Sequence, residues 1–142
     1  MNNRKPLMFT IKQLDKEWKK YLRRISQEVG MSDTYRKIIM FLSRNPGSNQ
    51  KQLAEFCDMT YAAISQIIKE MQLLGYVNKE CDKNDQRYFK LFLTDKAKEK
   101  VDIIRDKIQI ADDFVTKTIS PEKEAEMVET LNILIDSVRM EI

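Results

Sequence analysis

Ser65, Gln66 and Lys69, with Tyr61 and Ala62 one turn before them, are the residues of this chain whose types and spacing suggest chemistry. At steps of three and four they share one side of a helix. They offer hydroxyl, amide and ammonium groups, and no carboxylate joins them before Glu70. Such a face can donate to phosphate oxygens and meet base edges in a DNA major groove, where a glutamine amide pairs with adenine through two hydrogen bonds. The opposite side holds Ile64, Ile67, Ile68, Met71 and Leu74, an apolar stripe suited to a core. Alone, the segment reads first as an ordinary surface helix; the hairpin that follows shifts that reading. Tyr61 either reaches a phosphate or packs at the helix start.

Other chemistries find little support. With no histidine in 142 residues, a Ser-His-Asp triad, a histidine general base and a His-ligated zinc site are excluded. Cys57 and Cys81 are too few for a disulfide framework and lack metal-ligand spacing. No nucleophile–base pair or phosphate-binding glycine loop is visible, so neither an enzyme, a metal nor a cofactor is expected. No apolar run reaches membrane-spanning length and no leader-like hydrophobic core opens the chain. A cytoplasmic protein with no membrane partner is the expectation.

Charge is spread unevenly. Residues 1–30 carry eight Lys/Arg against three Asp/Glu, or +5; residues 31–93 carry nine against seven, or +2; residues 94–142 carry eight against twelve, or −4. A basic front and an acidic end suit a part that faces nucleic acid and a part that faces elsewhere, unless the imbalance serves only solubility.

The elements that must position these residues follow from period and punctuation. One domain, 1–142, is expected, mostly helical because Gly and Pro number three each. Ile11, Leu14, Trp18, Leu22, Ile25 and Val29 predict a helix over 8–29, closed by Gly30. Ser32 caps a second helix ending near Arg44, with Tyr35, Ile38, Ile39, Phe41 and Leu42 inward; Asn45, Pro46 and Gly47 stop it. Asn49 and Gln52 form a capping box for a third helix, with Leu53, Phe56 and Cys57 inward. Thr60 caps the fourth and Gly75 ends it. The period then changes to two: strands at 76–81 and 87–93 flank the polar connection DKNDQR. Thr94 or Asp95 opens a fifth helix, with Ala97, Val101, Ile104, Ile108, Ala111 and Val115 in its stripe. Ser120 and Pro121 open a sixth, with Ala125, Val128, Leu131, Leu134, Ile135 and Val138. Two helices at helix-turn-helix spacing followed by a hairpin make a winged helix.

Over about residues 8–140 the chain resembles the MarR family of bacterial and archaeal transcriptional regulators. NQKQLAEF is similar to the family's entry to the helix-turn-helix. ISQIIKEMQLLGYV is similar to its recognition helix and exit, through Met71, Gly75, Tyr76 and Val77. DKNDQRYFKLFLT is similar to its wing signature, through Asp82, Asp85, Arg87, Leu93 and Thr94. The chain departs at Asn84 and Gln66, where arginine is common, and at Asn49, where threonine is common; these departures bear on the operator sequence. The resemblance implies a mainly α fold, a winged helix-turn-helix of layout α1-α2-α3-α4-β-β-α5-α6. It implies a DNA-binding part at 32–94 and dimerisation helices at 8–29 and 95–141. It further implies a homodimer that binds double-stranded DNA at a palindromic operator, a repressor that answers to a ligand. Three long helices with apolar stripes agree, since a winged helix of about 60 residues cannot cover them all; an intramolecular bundle is the alternative.

On that reading Arg87 enters a minor groove from the wing, where its weakly hydrated fork meets concentrated negative potential. Asp85 holds it by an ion pair, and Lys83 adds a cation. DNA-binding residues are thus expected at Tyr61, Ala62, Ser65, Gln66, Lys69, Lys83, Asp85 and Arg87, with phosphate contacts also open to Lys51 and Lys79. Trp18, Tyr21 and Tyr35 either form core or line a pocket for a small aromatic effector. Cys57, read as structural, and Cys81, near Lys79 and Lys83, leave a redox-responsive regulator as an alternative; a protein-interaction winged helix without DNA binding is another.

Overall fold

The computed structural model describes residues 4–84 and 88–141. Its elements run α1 (Leu7–Glu28), α2 (Asp33–Arg44), α3 (Gln50–Cys57), α4 (Tyr61–Leu73), β1 (Val77–Cys81), β2 (Phe89–Leu93), α5 (Asp95–Thr116) and α6 (Pro121–Glu141). The layout is the expected mainly α winged helix.

Local chemistry sets the boundaries. The Ser32 hydroxyl accepts from the Tyr35 N–H, and Thr60 Oγ1 accepts from the Ala63 N–H. Asn49 and Gln52 exchange both bonds of the capping box, each at 2.9 Å. At the end of α4 the Gly75 N–H donates to the Gln72 carbonyl and the Tyr76 N–H to that of Met71. This double closure needs a left-handed residue, and Gly75 has φ +79°. The chain leaves α4 turned directly into β1. Asp58, the one described non-glycine residue with positive φ (53°), makes the turn between α3 and α4.

The strands pair antiparallel, from Val77 opposite Leu93 to Cys81 opposite Phe89. Ser48 makes an isolated antiparallel bridge to Leu91 of β2, which joins the hairpin to the loop before α3.

The chain divides into two compact units, 1–106 and 107–142. In the first, Ile38, Ile39 and Leu42 of α2, Leu53 of α3, and Ile64, Ile68 and Met71 of α4 are fully buried with Leu91 of the hairpin and Ile104 of α5. Arg36 is buried as well: its Nε donates to Ser26 Oγ at 2.9 Å and its Nη2 to Asp33 Oδ1 at 2.9 Å. A guanidinium so placed is tolerated because it is paired and hydrogen-bonded. In the second unit Ala111 is buried, whereas no residue of α6 is.

Several residues expected inside are not. Phe56 is 51% exposed because Leu53, one turn earlier, occupies the interior; the Phe56 ring rests instead on Phe41, centroids 4.5 Å apart. Leu74 is 48% exposed because it is the cap residue of α4, where the chain already turns off the helix axis. Val128, Leu131, Ile135 and Val138 of the α6 stripe, Val115 of the α5 stripe and Leu14 of the α1 stripe also stand exposed. So do Leu7, Met8 and Phe9 at the start of α1, which belong to no expected stripe.

Candidate nucleic-acid interface

Helix α4 presents two chemically distinct sides. Ile64, Ile68 and Met71 anchor it at zero exposure, so its rotation about its own axis is set by packing. The other side leaves Tyr61, Ala62, Gln66 and Lys69 exposed, with Ser65 half-buried beside them. These five residues therefore share a solvent face, with one amide, one ammonium and two hydroxyls available. An α-helix with such a face can lie in a major groove, its amide meeting base edges and its cation a phosphate.

The hairpin next to α4 carries further cations. Lys83 is exposed, and the turn it belongs to is begun by Asp82, whose carboxylate accepts from the Asn84 N–H at 2.9 Å. Lys79 Nζ lies 5.5 Å from the centre of the Phe89 ring, a cation–π contact on one side of the hairpin. Lys51 is exposed on α3. Asp85 and Arg87, expected at the wing tip, lie outside the described residues.

The aromatic residues divide. Trp18 and Tyr21 stack with centroids 5.8 Å apart and planes 10° from parallel. Trp18 also lines a groove of about 1040 Å³ with Leu22, Arg23, Arg36, Lys37 and Cys57 among its walls. Tyr21 and Tyr35 are not among the residues lining it. Tyr35 reaches the other way: its hydroxyl donates to Glu70 Oε2 on α4 at 2.7 Å. Burial, with this bond to a carboxylate, pushes the Tyr35 phenol up to about 12.

Cys57 is half-buried and Cys81 exposed, and neither forms a disulfide. Burial raises the Cys57 thiol above its ordinary value, with Lys37 opposing the shift. A raised thiol is protonated at neutral pH and a poor nucleophile, which suits a packing role. Among the described residues no group of three His, Cys, Asp or Glu side chains could hold a metal ion, and no helix is long and apolar enough to cross a membrane.

Sequence reasoning missed two polar residues of consequence. Arg36 belongs to the joint between α1 and α2, and its spacing of three from Asp33 was the available signal. Glu70 ends the polar face of α4 and is tied to a residue 35 positions away, a pairing without local signature.

Two helices around a tight turn, the second with an exposed polar face, and a hairpin directly behind it define a winged helix-turn-helix protein. Known proteins narrow the class. The model of the MarR family matches residues 29–87. HTH-type transcriptional regulator BilQ of Clostridioides difficile (strain CD3) is 22% identical over 130 residues, 92% of this chain and 88% of BilQ. A MarR transcriptional regulator from Methanosarcina mazei Go1 superposes with TM-score 0.80 at 19% identity, covering 96% of this chain and 98% of its own. The transcriptional repressor CouR, solved bound to a 23-mer DNA duplex, superposes with TM-score 0.77 at 16% identity over 92% of each chain. Residues 29–87 thus match the MarR-family model, and the chain has the fold of the solved MarR-type regulators. The family is one of DNA-binding regulators, not of enzymes.

Proposed function

We propose that the protein works as a homodimer that binds double-stranded DNA at an approximately palindromic operator, as a repressor released by a small aromatic effector. The observation that carries this reading is the polar outer face of α4, held outward by Ile64, Ile68 and Met71. Gln66 reads a base edge, Ser65 and Lys69 contact base or phosphate, Ala62 allows close approach, and Tyr61 meets the backbone. Lys83 and, from the sequence, Arg87 held by Asp85 extend the contact into an adjacent minor groove. CouR, a repressor solved on duplex DNA, supports both the mode of binding and the direction of regulation.

Residues 32–94 form the DNA-binding part, and the helices at 8–29 and 95–141 complete the single domain by pairing with a second subunit. The exposed apolar stripes of α1 and α6 support that pairing, because such area is seldom left to water. The groove beside Trp18, where Phe9, Leu22 and Phe56 supply apolar wall among charges of both signs, suits a small aromatic effector. The stacked Tyr21 stiffens its Trp18 wall. A regulator of this kind acts in the cytoplasm, where the DNA is.

Selection from a random-sequence duplex pool tests the reading. Enriched sites should be approximate palindromes with half-sites about one helical turn apart. Enrichment of asymmetric sites alone counts against the dimer, and no enrichment at all against operator recognition.

A further inference from the structure

The polar face of α4 ends on a carboxylate. Glu70 follows Gln66 by four residues, which puts it about 40° around the helix from the base-reading amide. It is the one acidic residue of α4. None of the residues three or four positions from it is a cation: Gln66, Ile67, Leu73 and Leu74 occupy those places. The helix therefore offers no internal ion pair to restrain it. An acceptor-only group at that place would approach the phosphates that Lys69 is set to meet, and repel them.

The restraint comes from another element. Tyr35 stands in the first turn of α2, fixed there by the Ser32 cap, which bonds its own backbone N–H at 3.1 Å. From that position its hydroxyl donates to Glu70 Oε2 at 2.7 Å, a short, charge-assisted bond. The phenol stays protonated throughout the physiological range, so the donor is always present.

We infer that Tyr35 is a positioning residue for DNA recognition: its hydroxyl holds the Glu70 carboxylate toward α2, and so keeps negative charge away from the groove-facing side of α4. Tyr35 touches no DNA itself. It acts through Glu70, by what it prevents. The inference rests on the reading of α4 as the recognition helix.

The test compares four proteins on one labelled mixed-sequence duplex at about 50 mM salt, where nonspecific binding is strong: the parent, Tyr35→Phe, Glu70→Gln, and the double variant. Tyr35→Phe removes one hydroxyl and keeps the ring, and it should weaken binding about fivefold, the effect of one like charge brought near a phosphate in water. Glu70→Gln keeps an acceptor for Tyr35 and removes the charge; alone, it should change affinity less than about twofold. The double variant should recover the parent's affinity, a rescue that loss of helix packing would not allow. Three results overturn the inference while leaving the DNA-binding reading intact. They are a Tyr35→Phe protein that binds like the parent, a double variant as weak as Tyr35→Phe, and a Glu70→Gln protein that binds fivefold tighter alone. A folded parent that does not bind the duplex overturns both.

Discussion

Thr94 Oγ1 donates to the Gly75 carbonyl oxygen at 2.6 Å and accepts from the Ala97 N–H at 3.2 Å. One side chain thus joins the exit of α4 to the start of α5, across the whole hairpin. The Thr94 N–H adds a bond to the Tyr76 carbonyl, and Lys96 Nζ donates to that of Leu74 at 2.7 Å. The three carbonyls just past α4, of Leu74, Gly75 and Tyr76, are thereby satisfied by Thr94 and Lys96, and the Lys96 cation sits well for the dipole of α4.

Replacing Thr94 by alanine removes both the cap and the bond to Gly75. The loss should be about 1–2 kcal/mol, seen as a lower midpoint of urea unfolding with an unchanged slope. Thr94→Ser should keep most of the stability. Equal midpoints for parent and Thr94→Ala would show that water replaces the hydroxyl at both places without cost.

The joint between α1 and α2 gives a pH-dependent prediction. Burial pushes the Asp33 carboxyl up, but the Arg36 hydrogen bond and charge, with Lys37 and Ser26, outweigh it and hold the group below its ordinary 3.8. A carboxyl depressed in the folded state adds stability that is complete above 3.8 and lost as pH falls through the depressed value. Asp33→Asn should therefore cost about 1 kcal/mol at neutral pH, allowing for the partial exposure of Asp33. The gap between the variant and the parent should narrow as the pH of the unfolding experiment drops below about 4. A gap that stays constant down to pH 2 would deny the ion pair its part.

What could be read in advance divides by distance along the chain. Ser32, Asn49, Thr60 and Ser120 were legible as caps because each bonds a backbone N–H three residues on. The outward face of α4 was legible because period alone separates Gln66 and Lys69 from Ile64 and Ile68. Phe56 and Leu74 were placed inside because their period fits, although a helix end can carry a periodic residue past the last layer that covers it. Periodicity marks a face; it does not say what lies against it. For that reason the α6 stripe reads as core and stands exposed, and the burial of Arg36 depends on Ser26 from another helix.

If a second subunit covers α6, a charge within its stripe should separate the two chains. Leu131→Glu puts a carboxylate among Val128, Ile135 and Val138, all exposed in the single chain. Sedimentation should show a dimeric parent and a monomeric or strongly weakened variant, since an unpaired charge in an apolar interface is severely penalised. A variant that keeps the parent's dimeric mass would remove α6 from the interface, and a monomeric parent would remove the interface altogether.

The base-reading and shape-reading parts of the interface should separate by substitution. Gln66 is exposed on α4 with its backbone held by buried neighbours, so Gln66→Ala should leave the melting temperature almost unchanged. Its amide can satisfy adenine at two edge positions, a contact typically worth about 1–3 kcal/mol of discrimination. Binding of the variant to the selected operator should therefore fall, while single-base changes at one position of each half-site should cease to matter. Arg87, assigned from the wing signature in the sequence, should behave otherwise. A cation in a narrow minor groove responds to shape and potential, so Arg87→Ala should weaken binding to many sequences together and lower the salt slope by about one. Titration of both variants against the operator and its single-base changes decides the matter. Full base preference in Gln66→Ala would mean that another part of α4 faces the bases, and parental affinity in Arg87→Ala would free the wing from any part in binding.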